Sequence, residues 1–407
     1  MTSPKLRFKE FDGDWSKVSL DKISKVFDGT HQTPNYVESG IKFVSVENIQ
    51  SPYDSDKFIT AEAFKKDFKN KPQLNDILMT RITAGEIGAT AIVNDSEPLA
   101  YYVSLALIRP KANVSTPFLN QYIGTPFFKN ELHKRIIHVA FPKKINLGDI
   151  NECLISLPNK QEEQIKIASF LSVVDEKINQ LTEKHELLSQ YKQGMMQKLF
   201  SQQIRFKADD GKEFGEWEEK FLKEFFPKIR NGFVGVATPY YVESGVKYLQ
   251  GKNIKNGKID ATGLIYINNE FHQKKTNSIL HTNDILMVQS GHVGECAVVT
   301  DEYKNGNCHA LLVLTPKSSQ IVNSEFVVYY FYSEFGKKKI TLIKTGNTIE
   351  HILASDIKEV SMLFPCIEEQ TQIANFLSAI DQKIEVVALQ IEQAKQWKKG
   401  LLQQMFV

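Results

Sequence analysis

The most regular alternation of apolar and polar positions lies in two stretches, residues 158–200 and 365–407, which close the two halves of the chain. In each stretch, apolar residues recur at every seventh position in two rows offset by four positions. The rows contain Ile167, Leu171, Val174, Ile178, Leu181, Leu188, Met195 and Leu199 in the first stretch, and Ile373, Leu377, Ile380, Ile384, Val387, Ile391, Leu401 and Met405 in the second. This spacing is typical of a coiled-coil seam, so each stretch is predicted to form one long helix.

The two predicted helices carry apolar stripes that are longer than one small domain would cover. Polar residues interrupt one row at His185, Lys192 and Lys398, where they weaken the seam and can fix its register. The most economical arrangement packs the helices on each other as an antiparallel coiled coil, each a rod of roughly 60 Å. Packing of each helix on its own domain, or pairing with another chain, remains an alternative.

The remainder of each half alternates short apolar runs with turn-forming residues. Runs such as YVSLALI (102–108) and ALLVLT (310–315) are typical of strands, whereas residues 116–137 and 324–344 have helical patterns. The aromatic run FVVYYFYSEF (326–335) is better interpreted as a buried helix than as a stacking surface. We therefore predict an α+β fold in which two tandem α/β domains are separated by the long helices.

The chain is an internal duplication. Three colinear pairs of segments match: 33–49 with 238–254, NDILM at 75–79 with NDILM at 283–287, and 162–178 with 368–384. The predicted organisation is a first domain over 1–157, a first helix over 158–200, a second domain over 201–364 and a second helix over 365–407.

Composition narrows the class of protein. The 407 residues contain 42% hydrophobic residues, four cysteines and a net charge of +2. We find neither an apolar run that could cross a bilayer nor a signal peptide, and the sparse cysteines are typical of reduced thiols, so a cytoplasmic protein without a membrane partner is expected. The charge lacks the basic excess of a typical isolated DNA-binding domain, so charge alone gives no indication of nucleic acid.

Motifs for catalysis are missing from the sequence. It contains no phosphate-binding GxxxxGK[ST] loop, no GxGxxG and no spacing of histidines and cysteines that suits a metal. The glycine-containing segment 290–294 aligns with 83–88 and is predicted to be a hairpin turn. Residues 238–241 (TPYY) resemble the base-holding loop of amino-methylating enzymes but lack its Asp or Asn and its second proline. The pattern favours a binding protein over an enzyme, with no metal site.

The start of each predicted helix carries a recognisable motif. Residues 158–178 and 365–384 share Glu-Glu-Gln, Ile-Ala-x-Phe-Leu-Ser and a later Asp-x-Lys-Ile, and each domain opens with a Trp…Leu pair, Trp15 with Leu20 and Trp217 with Leu222. In this the chain resembles the specificity subunits of type I restriction–modification systems. The resemblance covers essentially the whole chain, in order, twice.

The resemblance implies a function. Each variable segment would be a target-recognition domain that reads one half of a bipartite, asymmetric DNA site, and the paired helices would set the unread gap between the halves. The partners would be double-stranded DNA, two modification (methyltransferase) subunits and two restriction (ATPase/nuclease) subunits. AdoMet, ATP and Mg²⁺ would belong to those subunits, and this chain would hold no cofactor. The alternatives are a self-contained DNA methyltransferase and a coiled-coil scaffold that does not bind DNA.

Base reading requires hydrogen-bonding side chains on exposed loops, above all in the segment after each NDILM strand. The candidates in the first domain are Thr30, His31, Gln32, Thr33, Arg81, Thr83, Lys143 and Lys144. Those in the second domain are Arg230, Asn231, Thr238, Lys252, Asn253, Gln289, Ser290, His292, Lys344, Thr345 and Asn347. Because the post-NDILM loops differ between the halves, the two half-sites are predicted to be unlike.

Overall fold

The computed structural model describes residues 3–346 and 350–407. Two compact units divide the chain: unit 1 takes in Met1–Thr182 with Leu389–Val407, and unit 2 takes in Glu183–Ala388. Two long helices, α6 (Gln161–Phe200) and α12 (Ile367–Gln404), contribute to both units. They begin within three residues of the starts that the sequence predicts.

Unit 1 contains eleven strands and five short helices among its described residues. The strands are β1 (Ser16–Ser19), β2 (Ser24–Asp28), β3 (Ile41–Val44), β4 (Phe58–Ile59), β5 (Ile77–Thr80), β6 (Ile82–Thr83), β7 (Thr90–Ile92), β8 (Leu99–Tyr101), β9 (Leu105–Pro110), β10 (Lys143–Lys144) and β11 (Leu154–Leu157). The helices are α1 (Leu20–Ile23), α2 (Ala61–Asp67), α3 (Thr116–Ile123), α4 (Pro126–His133) and α5 (Leu147–Asn151).

The main sheet of unit 1 is antiparallel and has the strand order β2-β9-β5-β7. Both of its faces are buried. Along β5, Ile77 and Met79 face the core that also holds Trp15 and Phe118, whereas Leu78 faces a second core around Tyr101. Successive side chains of a strand point to opposite faces, so burial on both sides explains why these strands are continuously apolar. A smaller sheet, β4-β3-β8, adjoins the second core.

Unit 2 repeats this arrangement. Its strands are β12 (Glu218–Phe221), β13 (Lys228–Asn231), β14 (Tyr241–Val242), β15 (Val246–Leu249), β16 (Ile254–Lys255), β17 (Lys258–Ile259), β18 (Ile265–Ile267), β19 (Ile285–Val288), β20 (Cys296–Val298), β21 (Asn307–Cys308), β22 (Leu311–Thr315) and β23 (Ser361–Phe364). Its short helices are α7 (Leu222–Phe225), α8 (Asn269–Lys274), α9 (Ser324–Tyr332), α10 (Glu334–Ile343) and α11 (Ala354–Lys358). The main sheet has the order β13-β22-β19-β20 and matches that of unit 1 strand for strand.

The segments 83–88 and 290–294 lie between antiparallel strands, β5 and β7 in unit 1 and β19 and β20 in unit 2. The predicted hairpin turn is therefore confirmed. The aromatic run is also confirmed as a buried helix, because α9 packs Phe326, Val327 and Phe331 into the main core of unit 2.

The two long helices pair in opposite directions, as predicted. In unit 1, Phe170 of α6 contacts Trp397 of α12 with 6.2 Å between ring centroids, and Lys398 Nζ lies 2.5 Å from Asp175 Oδ1. In unit 2, Lys192 Nζ lies 2.6 Å from Asp381 Oδ1. Residues early in one helix meet residues late in the other, so the antiparallel coiled coil is confirmed.

Most of the predicted seam is buried. The buried positions are Ile167, Leu171, Val174, Leu181, Leu199, Ile373, Leu377, Ile380, Val387, Leu401 and Met405, and the half-buried ones are Ile178, Leu188, Met195, Ile384 and Ile391. Next to Met195, Met196 is buried against the main core of unit 2. It reaches that core because the end of the helix packs on a domain as well as on its partner helix.

The end of each long helix completes a domain core. Phe406, two residues beyond α12, packs in unit 1 against Phe118 and Tyr122, each at 5.5 Å between ring centroids. Phe200, the last residue of α6, packs in unit 2 against Phe326 at 5.4 Å. The C-terminal end of each helix therefore belongs to the domain of the other half.

Within residues 3–346 and 350–407, we find no helix that combines the length and the apolar character that a bilayer span requires.

Candidate nucleic-acid interface

Each domain is fixed to the start of a long helix by a buried glutamate. In unit 1, Glu163 accepts hydrogen bonds from Arg7 Nε at 2.7 Å and from Trp15 Nε1 at 3.3 Å. The bond to Glu163 raises the pKa of Arg7. In unit 2, Glu369 accepts from Arg205 Nη2 at 2.8 Å and from Trp217 Nε1 at 3.0 Å. Charge-assisted bonds in a dry setting are strong and directional, so this trio orients the domain on the helix.

The glutamine that follows each glutamate makes a second connection. Gln164 accepts a hydrogen bond from the Ser115 amide at 2.9 Å and donates to the Pro158 carbonyl at 3.1 Å. Gln370 makes the same pair of bonds, with the Asn323 amide and with the Pro365 carbonyl, both at 2.9 Å. The Glu-Glu-Gln motif therefore acts through its second and third residues. The glutamate binds the segment before the first strand of its unit, and the glutamine joins the long helix to the helix that follows the main sheet.

A third connection between each domain and its long helix lies further along the helix. Asp175 accepts a hydrogen bond from Gln121 of α3 at 2.8 Å, and Asp381 accepts one from Tyr329 of α9 at 2.8 Å. Burial and the neighbouring carboxylate raise the pKa of Tyr329, so this hydroxyl stays protonated as the donor. The same two aspartates form the ion pairs with Lys398 and Lys192, so each ties one domain to both helices.

The pairing register of the main sheet determines which loops lie at the same end of it. In unit 1, Asp28 at the end of β2 pairs with Ala106, and Thr80 at the end of β5 pairs with Leu105 at the start of β9. The loop after β2, which holds the candidates Thr30 to Thr33, therefore leaves the sheet at the same end as the segment after NDILM. The Val103 amide donates to the Thr30 carbonyl at 2.9 Å, and the Arg81 amide donates to the Ser104 carbonyl at 2.9 Å.

A hairpin before α6 joins the same end of the sheet. Strand β10 pairs antiparallel with β6, which places Lys143 opposite Thr83 and Lys144 opposite Ile82. The Ile137 amide donates to the Lys144 carbonyl at 2.8 Å and closes the hairpin. Three separate segments of candidate residues thus meet at one edge of unit 1.

Unit 2 gathers its candidates in the same way. The Ile352 amide donates to the Gln289 carbonyl at 3.0 Å, and Ser290 forms a bridge with His351. Thr345 and His351 bond to each other through their backbones in both directions, at 3.0 and 2.8 Å. His351 is exposed and lies at the centre of this edge, although the sequence analysis did not select it. Its pairings with Ser290 and Thr345, which the sequence does not reveal, bring it there.

Both halves of the chain match one protein family. The family model for the type I restriction modification DNA specificity domain matches residues 13–189 and 215–396, which together span most of the chain. The chain belongs to the type I specificity-subunit family.

Relatives and solved structures agree with that assignment. A Methanocaldococcus jannaschii protein provisionally named as the specificity subunit of type I restriction enzyme MjaX is 30% identical, over 98% of this chain and 94% of the relative. The MjaVIII specificity subunit of the same organism is 27% identical, over 59% of this chain and 58% of that protein. The crystal structure of a type I S subunit from M. genitalium shares the fold, with a TM-score of 0.62 and 14% identity, over 100% of this chain and 99% of that one.

Most candidate residues of this specificity subunit are accessible to solvent. The exposed ones are His31, Gln32, Thr33, Lys143, Lys144, Asn231, Thr238, Lys252, Ser290, His292 and Thr345, and the half-buried ones are Thr30, Thr83, Gln289 and Lys344. Asn347 lies outside the described residues. Base contact by any of these side chains remains a prediction.

Three candidates are buried, and their burial argues against base reading. Arg230 is 7% exposed and donates to the carbonyls of Asn277 at 2.7 Å and Ile279 at 2.9 Å, and to Asp284 at 3.2 Å. Its donors are satisfied inside the specificity subunit, so it supports the loop before β19.

The other two buried candidates are Arg81 and Asn253. Arg81 is 7% exposed and donates to the Ile145 carbonyl at 3.2 Å, and burial lowers the pKa of its guanidinium. Asn253 is fully buried, where it accepts from the Gln250 amide at 3.0 Å and donates to the Asp260 carbonyl at 2.9 Å. We correct both from readers to loop supports, because a polar residue type in a loop does not distinguish a solvated donor from an internal one.

Proposed function

We propose that this specificity subunit binds a bipartite, asymmetric DNA site with a fixed gap, one half-site for each domain. The observation that supports this is the repeated gathering of polar loops at one end of each main sheet. Each sheet is held on the paired helices by the Glu163 or Glu369 trio, so its loops are presented from a rigid support. The loops differ in sequence, so the half-sites are unlike.

We further propose that the paired helices dock two modification subunits, which in turn recruit two restriction subunits. The outward faces of α6 and α12 support this proposal because they carry large apolar side chains that the helix pair leaves exposed. These are Ile165, Val173, Leu187, Val386, Leu389 and Trp397, each more than half exposed. Apolar side chains exposed in a row along helices indicate a surface for protein partners.

Catalysis in this proposal belongs to the partners. The modification subunits would bind AdoMet and methylate adenine, the restriction subunits would use ATP and Mg²⁺, and the specificity subunit would contribute no catalytic residue or cofactor. A cytoplasmic location follows from genomic DNA as the substrate.

Three measurements test the proposal. Methylated adenines mapped genome-wide, in strains with and without this gene, should reveal one bipartite motif that disappears with the gene. Methyl transfer from AdoMet by the purified chain alone would instead establish a self-contained methyltransferase. A co-purified complex with no preference for any DNA sequence would leave only a protein scaffold.

The gap is tested by lengthening both helices together. Insertion of one heptad after Thr182 and another after Ala388 preserves the seam and adds roughly 10 Å, since each helical residue rises 1.5 Å. The unread gap should grow by about three base pairs at 3.4 Å each. Seven residues inserted into the loop at Asp210 form the control, and an unchanged gap in the lengthened protein contradicts the spacer role.

A further inference from the structure

The most exposed large apolar residues of unit 1 lie together on one loop. Val139 is 97% exposed and Phe141 is 90% exposed, and only Ala140 separates them. Elsewhere in unit 1, Phe43, Phe118 and Phe128 are almost fully buried. Exposure of a phenylalanine to water is unfavourable, and a local apolar patch on a soluble protein indicates a binding surface. We call residues 138–142 the apolar tip.

The register of the hairpin shows where the apolar tip points. Lys144 lies opposite Ile82 and Lys143 opposite Thr83, so Lys143 is paired farther along the chain from the end of β5 than Lys144 is, and the tip directly precedes Lys143. The tip therefore extends past the same sheet end as the loop that carries His31 to Thr33.

The immediate surroundings of the tip favour an anionic partner. Lys143 and Lys144, which form the base of the hairpin, are both exposed. Apolar residues beside cationic ones match the chemistry of a DNA groove, where phosphates line the edges and bases form the floor. A thymine presents a methyl group in the major groove, which is the natural contact for a phenylalanine or valine side chain.

We infer that Val139 and Phe141 are specificity-determining residues of the first domain, which select thymine through apolar contact with its methyl group in the major groove. This inference rests on the proposed function, since it assumes that the sheet end faces DNA. Val139 and Phe141 would discriminate between bases without hydrogen bonds, and Lys143 and Lys144 would hold the neighbouring phosphates.

The test uses the complex with its modification subunits and the DNA site identified by methylation mapping. Affinity is measured for the natural duplex and for duplexes in which deoxyuridine, which lacks the methyl group, replaces thymine in one half-site at a time. The protein variants are Phe141→Ala, Phe141→Leu and Leu74→Ala. Leu74 is the matched control, because it is 58% exposed but lies just before β5, at the opposite end of the sheet.

The wild-type complex should lose about tenfold in affinity when thymine is replaced in one half-site and not in the other. Phe141→Ala should lose a similar factor on the natural duplex and nothing more on the deoxyuridine duplex. Phe141→Leu should retain part of the sensitivity to the methyl group, and Leu74→Ala should behave as wild type. Non-specific affinity and its salt dependence should be unchanged in all three variants.

Several results would overturn the inference. They are a recognised site without thymine in either half, equal affinity of the wild type for the natural duplex and both deoxyuridine duplexes, and wild-type behaviour of Phe141→Ala. If Phe141→Ala instead prevents assembly with the modification subunits, the tip contacts protein and not DNA. Failure of the proposed function is separate, since the wild-type complex would then prefer no DNA sequence at all.

Discussion

In both units a backbone bridge closes the segment before the long helix, between Ile137 and Lys144 in unit 1 and between Thr345 and His351 in unit 2. In unit 1 this segment carries the exposed pair Val139 and Phe141. The loop after the first sheet strand exposes Val234 and Val236 in unit 2, at 65% and 75%, whereas in unit 1 it exposes the polar residues His31 to Thr33. The two domains therefore present different side chains from this loop, at equivalent ends of equivalent sheets.

The anchors do not differ in this way. Glu163 and Glu369 have the same partners, and Gln164 and Gln370 make the same two bonds. Each of these side chains is buried, where substitution leaves an unsatisfied donor or acceptor, while a loop at the sheet end has few packing constraints. Burial therefore preserved the frame of the duplicated domain, and exposure allowed the loops at its sheet end to diverge.

The largest expected effect comes from the helix ends. Phe406→Ala should destabilise unit 1, and Phe200→Ala should destabilise unit 2, each by about 3–5 kcal/mol, because each removes a buried aromatic ring from a core. Hydrogen exchange followed by mass spectrometry should show faster exchange in Phe118 and its neighbours for the first variant, and in Phe326 and its neighbours for the second.

Leu342→Ala, at a residue 81% exposed on α10, is the control and should change stability by less than about 0.5 kcal/mol. If Phe406→Ala accelerated exchange in unit 2 alone, the assignment of α12's end to the core of unit 1 would be wrong.

The second-largest loss of stability is expected from the anchoring trios around Glu163 and Glu369. Glu163→Ala and Glu369→Ala each remove the acceptor of a charged arginine and of a buried indole, with an expected cost of about 2–3 kcal/mol. Urea unfolding of the two variants should give similar losses, because the geometry of the two sites is alike. Glu162→Ala, at the exposed neighbour, is the control; a loss confined to one variant would show that the anchors are not equivalent.

Much of the fold could be predicted from the spacing of apolar residues in the sequence. The seam, the antiparallel pairing and the buried aromatic helix follow from apolar spacing, because burial along a regular helix leaves a periodic record in the sequence. The role of Phe200 and Phe406 does not follow, since these residues lie at the helix ends, where the heptad pattern no longer specifies which surface they meet.

The candidate site was predictable only in part. Loops that follow strands were identified, but the pairing of β6 with β10 brings together residues about sixty positions apart, and nothing local specifies such a contact. Arg81, Arg230 and Asn253 were selected for their donors, whereas tertiary packing directs those donors inward. Phe141 was passed over because an apolar residue in a loop gives no indication of whether it is covered.

The lysines of the two units should contribute differently to the salt dependence of DNA binding. Lys143 and Lys144 are exposed, whereas Lys344 is half-buried and its Nζ lies 2.8 Å from Glu350 Oε2. The double variant Lys143→Ala/Lys144→Ala should flatten the slope of log affinity against log salt by roughly 1.8, at about 0.9 for each phosphate. Lys344→Ala should leave the slope almost unchanged in the same fluorescence titration, and an equal effect would contradict this difference.

The smallest expected effect is acid sensitivity of one domain. His309 in unit 2 occupies the position of Tyr102 in unit 1, each bridging to the loop after the first sheet strand. Burial lowers the pKa of His309, so the unfolded state binds its proton more readily and stability should fall as pH drops below about 6.5.

His309→Tyr should remove that contribution, which melting curves between pH 7.5 and 5.5 would detect as a shallower slope. Tyr102→Phe is the control and should retain the slope of the wild type. A steeper slope in His309→Tyr would show that the imidazole is stabilised in its charged form.

The position of Phe406 in the core of unit 1 also sets an order of events during synthesis. Residues up to Thr182 emerge from the ribosome long before residue 406, by roughly 10–45 s at 5–20 residues per second. Unit 2 has all its residues once Ala388 is made, so it can fold first, while the earlier-made domain waits with an open core. A chaperone that binds nascent apolar segments would therefore be needed mainly at the N-terminal domain.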